Sequence, residues 1–197
     1  ATKHSNGVDI WVMVMSTQGE FNAYLVTSNG INLEKSNLVQ AKAYSIYGDR
    51  LRGSLAFSWD GSKMAITHGA SWPTAERGLM LYDFNNSTGE LSNKMEIAPN
   101  NQVLGGYDLI FSPDNNRIFV SGNYFNLAYF DISSGVESQI RSSFTKTSLQ
   151  TRLSNLEIGA DGKLYYGSHS GGLQRIDLDV NTQTPTSSVS VTGEPHQ

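Results

Sequence analysis

Apolar and polar residues alternate in short runs along this chain, and the runs return in a fixed order. Leu55-Ala56-Phe57-Ser58-Trp59-Asp60-Gly61, Leu109-Ile110-Phe111-Ser112-Pro113-Asp114-Asn115 and Leu156-Glu157-Ile158-Gly159-Ala160-Asp161-Gly162 each read as a strand running into a tight turn. Gly or Asn falls at the turn, where a positive φ costs them little. A worn copy opens the chain, with Asn6-Gly7 in the turn position. The turns lie 54, 54 and 47 residues apart, counted from Asn6 to Asp60, Asp60 to Asp114 and Asp114 to Asp161.

The rest of each unit repeats as well. Second strands are predicted over Asp9–Met15, Lys63–Thr67, Arg117–Ser121 and Lys163–Gly167, and third strands over Ala23–Val26, Leu81–Phe84, Tyr129–Ile132 and Arg175–Leu178. Three of the third strands run into Gly-ended turns at Gly30, Gly89 and Gly135, while the fourth meets the polar stretch Asp179–Thr184. A weaker fourth strand closes each unit. No stretch has helical periodicity. Four short antiparallel strands about every 40–50 residues is the period of a propeller blade. An ordinary β-sandwich also has regular turns, but it offers no reason for the apolar-Ser-X-Asp-Gly string to return in place.

The expected fold is therefore an all-β β-propeller segment of four four-stranded blades, approximately 1–50, 51–104, 105–151 and 152–197. Four blades can close on themselves, combine with a second chain, or form part of a larger ring. Ala1 aligns with Leu55, inside an innermost strand, and a polar tail ends the chain at Gln197. We expect an excised or processed piece of a larger ring, completed by further blades of the same polypeptide or by a second chain.

Composition narrows the function. Hydrophobic residues make up 38% and charged residues only 16%, so Ser, Thr, Asn and Gly must solvate the surface, as suits an all-β chain with many turns. Eighteen acidic residues against fourteen basic ones give a formal charge of −4. With no block of Lys or Arg, a nucleic-acid partner is not expected. No apolar run approaches the roughly 18 residues of a membrane span. The absence of Cys removes disulfides, thiolate metal sites and a Cys nucleophile.

Candidate chemistry is sparse. His68 and His169 follow second strands, but aligning Lys63 with Lys163 puts Ser168 opposite His68 and turns His169 to the other face, so a shared metal is not expected. Asp177-X-Asp179-X-Asn181 is half of a calcium loop, lacking its Gly and ending on Ser188 where a bidentate Glu is needed. Gly167-Ser168-His169-Ser170-Gly171 has His in the middle, where a nucleophile elbow needs Ser, and so cannot form one. No metal or other cofactor is expected, and no catalytic residue stands out.

One loop differs from its counterparts. Residues 69–78, carrying Trp72 and Arg77, are longer than the equivalent Gly122-Asn123-Tyr124-Phe125. Trp72, Arg77, Tyr124 and Phe125, with His68 beside them, combine flat apolar area and polar handles, the residue types that anchor interfaces. They form the candidate binding surface.

The run His4-Ser5-Asn6-Gly7-Val8-Asp9-Ile10-Trp11, followed by Phe21-Asn22-Ala23-Tyr24-Leu25-Val26-Thr27-Ser28-Asn29-Gly30-Ile31, resembles the propeller region of bacterial surface proteins exported by the type IX secretion system, often called gliding-motility-associated. Ile10 stands where that family usually has a first Trp. Leu81–Gly89 and the Phe111-Ser112-Pro113-Asp114 string are similar to its blades, and the latter also to lactonase-like propellers. The resemblance implies a secreted or cell-surface location and adhesion or recognition. The expected function is non-enzymatic binding of protein or glycan, or scaffolding. The alternatives are a lactonase-like or other hydrolase with its site at the central channel, where Asp108 and Glu157 are the available charges, and a structural spacer without ligand.

Overall fold

A computed structural model describes residues 1–16, 20–39, 54–68, 78–98, 106–122, 127–147, 153–168, 172–179 and 185–191. Its strands form four separate four-stranded antiparallel sheets, each a meander in chain order. The first holds β1 (Thr2–Lys3), β2 (Ile10–Met15), β3 (Phe21–Thr27) and β4 (Gly30–Val39). The second holds β5 (Leu55–Phe57), β6 (Lys63–His68), β7 (Gly78–Asn85) and β8 (Glu90–Ala98). The third holds β9 (Gly106–Phe111), β10 (Arg117–Gly122), β11 (Leu127–Asp131) and β12 (Thr145–Lys146). The fourth holds β13 (Leu153–Ile158), β14 (Leu164–Ser168), β15 (Leu173–Leu178) and β16 (Pro185–Val191).

The recurrent turn joins the first two strands of every sheet. Its residue after the Asx position has positive φ in all four copies, at Gly7 (75°), Gly61 (67°), Asn115 (60°) and Gly162 (74°). The amide of that residue donates to the carbonyl three residues back, at His4, Ser58, Ser112 and Gly159 respectively. The last copy is one residue shorter: Gly159 N donates to Lys163 O, whereas Ser58 N and Ser112 N reach five residues on, to Lys63 O and Arg117 O. The shorter turn aligns Ser168 with His68, as expected, while His169 lies outside the described residues.

Because strand side chains alternate between faces, each sheet has two faces to bury. Trp11, Met13, Phe21, Ala23 and Leu25 of the first sheet pack on Met64, Ile66, Met80, Tyr82 and Phe84 of the second. The other face of the second sheet (Ala65, Leu79, Leu81, Met95, Ile97) packs on Leu109, Phe111, Ile118, Val120 and Phe130 of the third. Phe119 and Leu127, on the third sheet's far face, meet Leu156, Ile158, Leu164, Tyr166 and Ile176. Burial pushes the Tyr82 phenol up to about 12, so it stays neutral in its interface. Three apolar seams therefore join four blades. Among the described residues no such cluster joins the last blade to the first, and the blades form an open arc.

One element departs from the expectation of an all-strand chain. Glu137–Ser142 forms a helix, α1, between β11 and β12. Six residues are too few to display helical periodicity, which is why the pattern concealed it. Tertiary contacts stabilise it instead. Ile140 is buried in the seam between the second and third blades, Glu137 and Arg141 pair one turn apart, and Arg141 Nε donates to Glu96 O of β8 at 2.7 Å.

Candidate functional site at the central groove

Among the described residues the innermost strands each have one edge without a β partner. A groove of about 970 Å³ opens there. The first blade contributes Ala1–Ser5, the second Ala56–Asp60 with Asn86, the third Ile110 and the fourth Glu157. All four blades thus contribute to its wall. The groove includes the end of the arc at which the recurrent turns lie.

Hydrogen bonds cross each seam. Ser5 N and Trp11 Nε1, from the first blade, both donate to Asn86 O of the second, at 3.0 and 2.9 Å. Trp59 of the second blade donates twice to the third, from its backbone N to Asn115 Oδ1 at 2.7 Å and from its indole Nε1 to Phe111 O at 3.2 Å. Asp108 of the third blade accepts from Leu156 N of the fourth at 2.7 Å with one carboxylate oxygen and from Leu109 N at 2.9 Å with the other.

These bonds decide what the groove can do. Asp108, a channel charge in the hydrolase alternative, spends both oxygens on backbone amides and closes an exposed strand edge. Glu157 is exposed and lines the groove. Trp59 is 57% exposed although both its N–H groups are bonded, so a flat apolar face is presented in a fixed orientation. His4 serves the turn and the blade: its Nδ1 accepts from Asn6 N at 3.0 Å and its ring lies 5.8 Å from that of Trp11. Asp177, the first position of the half calcium motif, pairs with Lys163 (3.3 Å) and Arg175 (3.0 Å). Among the described residues, no group of three His, Asp or Glu is placed to hold a metal ion.

The loop surface expected from sequence falls outside what the structure describes. Trp72, Arg77, Tyr124 and Phe125 lie outside the described residues, and of His68 only the backbone is described, paired with Gly78. The strand ends that flank those loops (His68 and Gly78, Gly122 and Leu127) lie opposite the recurrent turns. Trp59, exposed in the groove, was not among the candidates read from sequence. Its signal was present: it fills the X position of the Ser-X-Asp string where the third blade has Pro113.

The turn carboxylates add a pH dependence. Partial burial pushes Asp60 up, but hydrogen bonds from Ser58 and Ser62 outweigh it and hold the carboxyl below its ordinary value. Asp114 is likewise raised by burial and lowered further by Ser112, Asn116 and the charge of Arg117. A carboxyl with a depressed folded pKa contributes stability above its unfolded value of about 3.9, and that contribution is lost as pH falls through the folded value. The chain is expected to lose stability below about pH 4, and Asp60→Asn with Asp114→Asn to flatten the descent. An acid titration followed by circular dichroism checks this; the same curve for the double variant contradicts it.

No family model matches the sequence, and no curated protein matches it. Solved structures do. A candidate 6-phosphogluconolactonase from Bacteroides uniformis superposes with a TM-score of 0.64 at 15% identity, over 96% of this chain and 54% of that one. A second candidate 6-phosphogluconolactonase, from Bacteroides fragilis, gives 0.60 at 12% identity, over 95% and 56%. A candidate TolB from Agrobacterium tumefaciens gives 0.57 at 18% identity, over 98% and 61%. The chain is an arc of a β-propeller. It spans little more than half the length of these three propellers, and identities this low speak for the fold alone.

Proposed function

We propose that this propeller arc is a non-enzymatic recognition module of a secreted or cell-surface bacterial protein, and that it binds a glycan chain in the central groove with Trp59 as the anchor. The observation that carries the reading is the immobilised, exposed indole. Sugar rings offer one face of C–H groups and a rim of hydroxyls, so they suit a rigid aromatic plane with polar groups around it. Around Trp59 the groove supplies Asp60, Asn86, Lys3 and Glu157 for the hydroxyls. The likeness of His4–Trp11 and the following strand to exported surface proteins supports the location and a role in adhesion.

Lactonase chemistry is the second reading, because two similar structures carry that name. It needs converging acids, and Asp108 is already engaged by two amides.

A glycan microarray probed with the wild-type chain and with Trp59→Ala tests the proposal. The wild type is expected to retain a subset of oligosaccharides, and the variant to lose about tenfold or more in affinity for them with an unchanged circular dichroism spectrum. Equal retention by the variant, or no retained glycan at all, contradicts the reading. Hydrolysis of 6-phosphogluconolactone that disappears in Glu157→Gln supports the enzyme instead.

A further inference from the structure

Pairing registers align the four blades residue by residue. Ile10 pairs with Val26 as Met64 does with Tyr82, Ile118 with Phe130 and Leu164 with Ile176. One step along, Val12 pairs with Tyr24 as Ile66 does with Met80 and Val120 with Ala128. In the second, third and fourth blades these positions face the preceding blade and are buried in a seam, Met64, Ile118 and Leu164 each fully. In the first blade the same face is open: Ile10 is 43% exposed, Val14 48% and Ile31 57%.

The opposite end of the arc differs. There the fourth blade carries Glu157 where the third has Ile110, and Arg175 where the third has Tyr129. A second copy docking head to tail would press this face onto Ile10, Val12 and Val14, burying Glu157 and the Arg175–Asp177 ion pair against apolar partners, which disfavours the contact.

We propose that the open face of the first blade is the docking face for a further blade of the same polypeptide, one whose own forward face is apolar like that of Trp11, Phe21 and Leu25. The equivalent positions at three established seams carry the inference, and the polar last blade argues against a second copy. The solved propellers that this arc matches hold nearly as much chain again, enough for the missing blades.

The chain contains no Cys, so an introduced thiol is the only one in it. Ile10→Cys and Val14→Cys occupy partly exposed positions and either suffices; Val136→Cys, beside α1 and away from this face, is the control. Maleimide labelling is compared between the 197-residue chain and the polypeptide as its own cells produce it. Labelling at positions 10 and 14 is expected to be severalfold slower in the cellular polypeptide, with no change at 136. Equal rates in the two overturn the proposal. Protection that appears in the 197-residue chain itself as concentration rises overturns it in favour of a second copy.

Discussion

Truncating Trp11 to alanine is expected to destabilise the arc by about 3–5 kcal/mol. The ring is 1% exposed, meets Phe84 edge-on at a centroid distance of 6.5 Å, and lies beside His4. Its loss opens a cavity in the first seam and removes the indole donor to Asn86 O. Gly89 sharpens the test. It holds a φ of 77°, and a Cβ there would stand 2.7 Å from the Trp11 ring. Gly89→Ala is expected to suffer from both backbone strain and collision in the wild type, and from strain alone in the Trp11→Ala background. The two substitutions should therefore be less than additive. Urea denaturation of the two single variants and the double variant measures this. A loss below about 1 kcal/mol for Trp11→Ala, or strict additivity, contradicts the packing described.

Asp108→Ala is expected to cost about 1.5–3 kcal/mol, the range for a hydrogen bond to a charged group. The effect should be uneven along the arc. Leu156 N belongs to an innermost strand with no β partner on that side, so without Asp108 it must find water or remain unpaired. The fourth blade is then held to the third chiefly by the seam of Phe119, Leu127, Leu156, Ile158, Leu164, Tyr166 and Ile176. Amide exchange is expected to accelerate at Leu156 and along β14, and to stay slow in β6 and β2, two and three seams from the fourth blade. Uniform acceleration across all four blades, or none at Leu156, contradicts a local clasp. The same carboxylate was one of the two charges available to the hydrolase alternative on sequence alone; its two amide donors give it a structural task.

The modular architecture was legible in the chain because it rests on local chemistry. A Ser-X-Asp-Gly turn needs only an Asx acceptor and a residue tolerant of positive φ, and both are written in adjacent positions at Asn6-Gly7, Asp60-Gly61, Asp114-Asn115 and Asp161-Gly162. Short continuous apolar runs likewise mark strands wherever two faces must be buried, as Met64-Ala65-Ile66 does in β6, Ile118-Phe119-Val120 in β10 and Leu164-Tyr165-Tyr166 in β14. The helix α1 was not legible, since six residues stabilised by Ile140 and Arg141 contacts to other strands leave no period of their own.

The groove was not legible, for a physical reason. Loop length and aromatic content drew attention to Trp72 and Tyr124, which lie outside the described residues; the fold also immobilises Trp59, whose partners Phe111 and Asn115 lie 52 and 56 positions away. The ion pairs Lys63–Asp83, Arg117–Asp131 and Lys163–Asp177 recur at one level of three blades. Each needs the strand register to bring its members opposite one another.

Sequence alone thus determined the repeat, the turns and the two-faced strands, because each depends on residues a few positions apart and on the fixed period of a β-strand. Which face meets which neighbour was decided only by tertiary structure, as were the bonding of Asp108 away from chemistry, the exposure of the Trp59 plane and the bare face of the first blade. Those properties depend on contacts between modules about fifty residues apart, and nothing local in the chain encodes the distance or direction across a seam.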